Sequence, residues 1–390
     1  MPLFFTIGPA VFDLYIVIFC LFFLTLNFIN KEKINIISRL LIILIIILVY
    51  INIVSYFSEY QEVAFSRSVS FLRYLFVIIV ISNLAIKYNY YLKYTFFCSF
   101  ALTLFIVIDI IYQYFFGFDI FNNKSHDYRL SGPFGEELIA GQVLFLLSMP
   151  TLMFSFVYFT NKKLQMFIFI FLIILILIGI FFSGQRTSMF NFLVSLFLFL
   201  FIFKKQIYIK PTQLIILLLL SISGIFLFFN SVFYRFIIIT YKQISNLLNT
   251  SYSAFYETGI NVWLDNFWIG AGLKNYRFVC EDKLYFSNYT GQPCANHPHN
   301  SYIEILSELG IIGFILFLTL FIYFLKLIVP KIIFSNDKAI NYSIPFFITL
   351  IPIIFPILPS GSFFTNTHSV PFWVYFSISL SIFYKEEKFN

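Results

Sequence analysis

Long apolar stretches recur along the whole chain, and they restrict its fold more than any other feature. Most are close to or above the roughly 18 to 20 residues that an α-helix needs to cross a bilayer. Only 11% of the residues are charged, whereas soluble proteins average about 25%. Because a soluble core cannot absorb so much apolar surface, the sequence predicts an all-α polytopic membrane protein.

The apolar stretches predict about 11 to 12 membrane-spanning helices and one large loop that contains short helices. About eight helices belong to an N-terminal part (1–230), about three to a C-terminal part (300–390), and residues 231–299 form the loop. The spans are placed at 9–29, 36–57, 68–86, 94–117, 138–158, 164–182, 187–203, 212–230, 301–325, 341–358 and 369–384.

Positive charge in the short connections predicts the orientation, since lysine and arginine are retained on the cytoplasmic side. Lysines in alternate connections place the N-terminus outside and the C-terminus inside, and the first span is predicted to be retained. The net charge of +7 comes mostly from cytoplasmic lysines, and this placement predicts contact with lipid headgroups and not with nucleic acid. Six of the seven arginines lie outside and could pair with external glutamates or bind an anionic ligand: Arg67, Arg73, Arg129, Arg186, Arg235 and Arg277.

The large loop contains one predicted helix and one predicted disulfide. Apolar residues between Ile260 and Trp268 recur with helical spacing and form a stripe expected to pack as scaffold. Ser253 is expected to cap this helix, and Gly270 and Gly272 to end it. A disulfide is expected between Cys280 and Cys294, because an oxidising compartment permits it.

Residues 294–314 read CANHPHNSYIEILSELGIIGF and place His297 and His299 directly before an apolar run. His299 is followed by Asn, nine residues, Gly310, two residues and Gly313. With the upstream Ser-Gly-x-Arg of FSGQRTSM (182–189), this pattern resembles the signature of the O-antigen ligase and polymerase family. Members are integral membrane glycosyltransferases that use undecaprenyl-pyrophosphate-linked glycans, and the resemblance covers about residues 105–325.

The resemblance implies a metal-independent and cofactor-independent transfer of that glycan to a hydroxyl of a lipid A core, of a growing glycan or of a protein. The active site would face the periplasm from a bacterial inner membrane. His299 is the expected general base, active while its ring is neutral and losing activity as the pH falls through about 6.5. Arg186 is the expected catalytic arginine, which binds the pyrophosphate, and His297 and Asn300 are expected to support the site.

The chain departs from the family pattern at one position. Many members carry an arginine four residues before the tryptophan of the loop helix, and this chain has Gly259 there. Arg235 and Arg277 are the candidates to take over its contact with the pyrophosphate. Gly310 and Gly313 would lie on one helix face and let another helix approach closely.

Other functions stay open at this point. His297 and His299 could be two metal ligands, although no third ligand follows at a recognisable spacing. A flippase for lipid-linked oligosaccharides would call for internal repeats, which the sequence does not show. A structural subunit of a glycan-export assembly would have no use for the external arginines and histidines.

Overall fold

The computed structural model describes residues 9–31, 34–35, 37–124, 129–207, 223–224, 230–246, 249–282, 294–333, 342–355 and 359–384. Over these residues the chain is α-helical, with short 3₁₀ and π segments and no β-sheet. The predicted class, an all-α polytopic membrane protein, is confirmed.

The helices follow one another with short connections. They are α1 (Pro9–Ile29), α2 (Ser38–Tyr56), α3 (Gln61–Phe71), α4 (Arg73–Lys87), α5 (Leu92–Phe116), α6 (Ala140–Tyr158), α7 (Lys162–Phe182), α8 (Arg186–Ile202), α9 (Asn230–Phe233), α10 (Ile239–Ile244), α11 (Ser251–Asp265), α12 (Tyr276–Asp282), α13 (Ser301–Ile333), α14 (Ile344–Ile353) and α15 (Asn366–Tyr384). A π-helix, Tyr234–Ile238, joins α9 to α10.

Within the described residues, six helical stretches are long and apolar enough to cross a membrane. They are Ser38–Tyr56, Gln61–Lys87, Asn89–Phe116, Ala140–Tyr158, Lys162–Phe182 and Ser301–Ile333. Three shorter apolar helices are Leu14–Asn27, Arg186–Ile202 and Ile344–Ile353. The predicted span at 212–230 lies almost entirely outside the described residues.

The described helices divide into two compact units. The first comprises Met1–Phe12, Tyr88–Ser245 and Ile340–Ile353. In this unit α6 packs against α5, α7, α8 and α14 and is buried over most of its length. Gly179 lets α7 lie close to it, because a Cβ there would come within 2.6 Å of Leu144 Cδ1.

Two polar side chains of α5 hold the loop that follows this helix in the first unit. Asp109 is 1% exposed and accepts a hydrogen bond from the Ile120 N–H at 2.9 Å. Gln113 accepts one from the Gly132 N–H at 2.9 Å. Since a buried carboxylate is costly in a membrane span, this contact gives Asp109 a structural role there.

The second unit comprises Asp13–Lys87, Asn246–Ala339 and Ile354–Asn390. In it α13 packs against α2, α11 and α15, and α4 packs along α15. Trp373 of α15 is 2% exposed and stacks on Tyr74 of α4 with the ring centroids 5.9 Å apart. Such aromatic packing fixes the angle between two helices in an apolar environment.

The ends of α11 differ from those predicted. Thr250 is the N-cap residue, and Ser253 is its reciprocal partner three positions later, in a capping box. The helix ends at Asp265, ahead of Gly270 and Gly272. The local signal for a helix start was correct, but the cap lies three residues earlier.

The predicted apolar stripe of α11 is not its packing face. Leu264 and Trp268 are 55% and 67% exposed. The buried residues of α11 are Ala254, Thr258, Gly259 and Val262. This face is made mostly of small side chains, which let α11 lie close to α13, as small residues do between membrane helices.

Candidate active site

A tight loop in the second unit precedes α13. His299 has a φ of 52°, in the left-handed region that residues other than glycine rarely adopt. Its carbonyl accepts a hydrogen bond from the Ser360 N–H at 2.8 Å. Asn300 Oδ1 accepts from the N–H groups of Tyr302 at 3.0 Å and Ile303 at 3.2 Å, so Asn300 caps α13.

The half-buried ring of His299 lies among other rings. It stacks on Phe255 with the centroids 4.9 Å apart and meets Tyr252 edge-on at 5.9 Å. The ring of His297 lies 4.2 Å away. Among the described residues neither nitrogen of the His299 ring has a hydrogen-bond partner, so a hydroxyl donor could bind to it.

The surroundings keep both histidines neutral. Burial, and next the neighbouring His297, lower the pKa of His299 to about 4, although the Glu304 carboxylate acts in the opposite direction. Burial also lowers the pKa of His297. The expectation that His299 titrates near 6.5 is therefore corrected, because it assumed an imidazole in water.

A buried group of charges, which the sequence analysis missed, lies next to the histidines. Lys274 is 7% exposed, and Glu304 and Glu308 of α13 are fully buried. Lys274 Nζ lies 3.3 Å from Glu304 Oε1, and the Lys274 N–H donates to Glu308 Oε2 at 2.8 Å. Glu304 Oε2 accepts from the Phe363 N–H at 2.6 Å, and the Ser362 hydroxyl bonds to both Lys274 and Glu304.

A sequence signal for this group existed. Glu304 and Glu308 stand one helical turn apart at the start of an apolar run. Carboxylates at such positions are costly and call for a partner. The sequence does not tell which of the loop cations is that partner, because Lys274 lies 30 residues away from Glu304 along the chain.

The helix α13 is broken at Gly310, where φ is 66° and ψ is −173°. A break frees backbone N–H and C=O groups, and these need partners in an apolar environment. The segment 267–272 supplies them. Its four hydrogen bonds run from Ala271 N–H to Ser307 O (2.9 Å), from Gly272 N–H to Glu308 O (2.9 Å), from Ile311 N–H to Phe267 O (2.9 Å) and from Ile312 N–H to Trp268 O (3.4 Å).

The two backbones touch at a pair of glycines. A Cβ on Gly310 would lie 2.4 Å from the carbonyl carbon and oxygen of Trp268. A Cβ on Gly270 would lie 2.4 Å from the carbonyl carbon of Glu308. The expectation that Gly310 shares a helix face with Gly313 is wrong, because Gly310 provides the break and the close approach of a loop.

Gly259, the departure from the family pattern, also has a steric reason. A Cβ at this position of α11 would lie 2.5 Å from Ile303 Cγ2 and 2.9 Å from Pro298 Cβ. Any side chain there would push against the loop of His297 and His299. Close packing therefore leaves no room for a side chain at this position, and an arginine would require Ile303 and Pro298 to move.

A disulfide joins Cys280 of α12 to Cys294, with the Cα atoms 5.6 Å apart. It ties α12 to the residues just ahead of the histidine loop. Arg277 is also on α12, and its guanidinium carbon lies 5.0 Å from the ring centroid of Phe278. Arg277, both cysteines, His297, His299 and Asn300 thus belong to the second unit.

The other two predicted arginines lie in the first unit. Arg186 is the first residue of α8 and donates to Thr240 Oγ1 at 2.9 Å. Arg235, on the π-helix, donates through Nε to the carbonyl of Gly184 at 3.3 Å. Gly184 has a φ of 65° and turns the chain between α7 and α8. The structure therefore brings Arg186 and Arg235 together around one turn.

Comparison with known proteins points to the same part of the chain. Residues 170–318 match the family described as O-antigen ligase. A protein of Rickettsia felis named "Putative polysaccharide ligase" is 40% identical over 78 residues, which make up 19% of this chain and 19% of that protein. One of Rickettsia conorii is 38% identical over 78 residues, again 19% of each chain.

Each of these matches spans about a fifth of the length of the relative. The family match contains Arg186, Arg235, Arg277 and the histidine loop. The predicted resemblance to the O-antigen ligase family is confirmed over residues 170–318, which match the model of that family.

Proposed function

We propose that this chain is a membrane glycosyltransferase that moves a glycan from undecaprenyl pyrophosphate to an acceptor hydroxyl. The acceptor would be a lipid A core for a ligase or a growing glycan for a polymerase. The site would face the periplasm from the inner membrane of a bacterium. The O-antigen ligase match and the polysaccharide ligase names of the relatives support a ligase or polymerase role.

The observation that carries this proposal is the state of His299. Its ring is held neutral, its nitrogens have no partner among the described residues, and its backbone is fixed at both ends. A neutral imidazole can accept the proton of an acceptor hydroxyl. The oxygen then attacks the anomeric carbon, the carbon–oxygen bond to the pyrophosphate breaks, and the leaving group keeps the electron pair.

The arginines would bind the departing pyrophosphate and stabilise its negative charge. A guanidinium offers a planar pair of donors that fits a phosphate in a bidentate manner. Arg186 and Arg235 lie together in the first unit, and Arg277 is the third candidate. In this proposal Arg186 binds the pyrophosphate directly, and His297 and Asn300 support the loop of His299.

Arg186→Lys is expected to weaken the donor interaction by roughly 10- to 100-fold, because a hydrogen bond to a charged group contributes about 1.5–3 kcal/mol. Lysine keeps the positive charge but lacks the planar pair of N–H donors that a guanidinium offers to a phosphate. Binding of lipid-linked glycan to the purified protein measures the effect. Arg39→Lys, on an exposed arginine of α2, is the matched control. Equal donor affinity in both variants would leave Arg186 with a structural role, such as its hydrogen bond to Thr240.

The pH dependence of transfer is expected to follow the lowered pKa of His299. A base must be neutral, so the rate stays level while the pH is above the pKa and falls as the pH approaches about 4. We expect a flat rate from pH 8 to about 5 and a decline below it. Intrinsic fluorescence at each pH controls for unfolding. A decline centred near 6.5, the value of an imidazole in water, would contradict this assignment.

Reconstitution tests the proposed function. The purified chain in vesicles, supplied with lipid-linked glycan and an acceptor, should release undecaprenyl pyrophosphate and glycosylate the acceptor. Translocation of the donor across the bilayer without any transfer would instead establish a flippase. The backbone groups freed at Gly310 favour the transferase, because segment 267–272 occupies them, whereas broken helices of transporters offer theirs to the substrate.

A deletion in the native host separates the two transferases. Core lipid without any attached glycan on a polysaccharide gel identifies a ligase. Core lipid with a single attached repeat identifies a polymerase.

A further inference from the structure

The segment from Ser360 to Phe363 links the histidine loop to the buried charges. At one end, Ser360 donates its N–H to the carbonyl of His299 at 2.8 Å and accepts from the Ser301 N–H at 2.9 Å. At the other end, Ser362 and Phe363 donate to the carboxylate of Glu304. Glu304 therefore fixes this segment to α13, and the segment fixes His299.

Lys274 makes this attachment possible. Burying a carboxylate is costly unless a close cation and further hydrogen bonds compensate it, and Lys274 Nζ lies 3.3 Å from Glu304 Oε1. The lysine is itself held in place, because its N–H donates to Glu308 at 2.8 Å and its ammonium group to Ser362. The pair thus joins the chain just before α12, the start of α13 and the segment before α15.

The conformation of His299 needs such support. A left-handed backbone is unfavourable for a residue with a Cβ, and it persists only where the surrounding structure enforces it. Two hydrogen bonds fix this backbone. The Ser360 N–H donates to the carbonyl of His299, and the side chain of Asn300 accepts from the Tyr302 N–H at the start of α13. The ring position above Phe255 follows from this backbone.

We propose that Lys274 and Glu304 are positioning residues for His299: the buried pair holds the 360–363 segment, and that segment holds the histidine in its reactive conformation. This inference rests on the proposed function for its effect on transfer. Neither residue touches the reacting atoms.

The test compares single and paired removal of the charges. Lys274→Met and Glu304→Gln each leave one member of the pair buried without its partner and are expected to destabilise the protein strongly. The double variant removes both members, keeps Glu308 with its hydrogen bond from the backbone N–H of residue 274, and should regain most of the thermal stability that the single variants lose. Its transfer rate is still expected to be at least about tenfold below the native one, because the hold on the 360–363 segment is weakened.

A chemical label gives a readout that does not depend on transfer. Diethyl pyrocarbonate acylates neutral imidazole, and at pH 7 the lowered pKa values keep His297 and His299 neutral. The rate at which mass spectrometry finds His299 labelled then reports how well the loop is held. We expect labelling of the double variant to be about tenfold faster than that of the native chain.

Two outcomes of the double variant would overturn the inference. If thermal stability, transfer rate and labelling rate of the double variant all return to the native values, the pair only stabilises the fold. If the stable double variant labels His299 at the native rate, the pair does not hold the loop. If His299→Ala keeps native transfer, the proposed function fails, and the labelling rate alone still decides this inference.

Two further variants complete the experiment. Ser360→Pro removes the N–H that donates to the His299 carbonyl without touching a buried charge, so it should also speed the labelling of His299 and keeps the test decisive if the double variant is unstable. Native labelling in Ser360→Pro would then overturn the inference. Lys331→Met removes a lysine from the last turn of the same helix and is the matched control, with native labelling expected.

Discussion

His299→Ala is expected to lower the transfer rate by about 10²- to 10⁴-fold, the range for a lost general acid–base group. The donor should still bind, because in the proposed mechanism arginines hold the pyrophosphate. The ring also stacks on Phe255, so we expect a stability loss of about 1 kcal/mol as well. Purified protein with lipid-linked glycan and acceptor measures the rate, and thermal unfolding measures the stability.

His299→Asn and His297→Ala serve as companion variants. Asparagine tolerates the left-handed backbone at this position better than alanine does, yet it cannot act as the base, so it should be as slow as His299→Ala with better folding. His297→Ala should cost less, because His297 only supports the loop. A rate above about a tenth of the native one in His299→Asn would remove His299 from the catalytic role.

Gly310→Ala is expected to prevent folding of the second unit. The backbone there, at φ 66° and ψ −173°, lies in a region open essentially to glycine alone. The new Cβ would also lie 2.4 Å from backbone atoms of Trp268, which cannot give way as a flexible side chain can. A cost above about 4 kcal/mol follows from strain and collision together. Size-exclusion chromatography and thermal unfolding in detergent measure it.

Gly117→Ala is the matched control for Gly310→Ala. Gly117, after α5, has a φ of 81°, and a Cβ there would meet nothing within 4 Å. The loss of stability in this variant therefore measures only the cost of a left-handed backbone at a residue with a Cβ, about 1–2 kcal/mol. The difference between the two variants measures the collision with Trp268 together with the extra backbone strain at Gly310, whose ψ is −173° whereas that of Gly117 is −1°. Folded, monodisperse Gly310→Ala protein with a stability like that of Gly117→Ala would show that segment 267–272 does not lie against the break.

The helices could be predicted from the sequence because their signals are local. The span predicted at 94–117 is α5, Leu92–Phe116, and it ends at a left-handed glycine, Gly117. The span predicted at 164–182 is α7, Lys162–Phe182, which begins after Asn161, whose side chain caps two backbone N–H groups. Apolar length, a cap and a glycine are all visible in a short window of sequence.

The parts of the site that were missed depend on distant residues. Nothing near Gly310 shows that segment 267–272, about 40 residues earlier, will supply partners for a broken helix. The spacing of the family pattern marked His299, but its lowered pKa depends on burial by rings from α11 and on the neighbouring histidine. Lys274 could not be paired with Glu304 until the fold brought them together.

The break at Gly310 is a fixed elbow and not a flexible joint, because segment 267–272 pairs with four of the backbone groups around it and the Tyr50 hydroxyl donates to the Leu309 carbonyl at 2.7 Å. Ser301–Leu309, the arm before the elbow, is about 13 Å long at 1.5 Å per residue. The longer arm, Ile311–Ile333, is at about 34 Å long enough to span the hydrocarbon layer. A helix longer than the hydrocarbon layer can tilt in it, and because the elbow is fixed we expect any tilt of the long arm to move the short arm and the histidine loop before it.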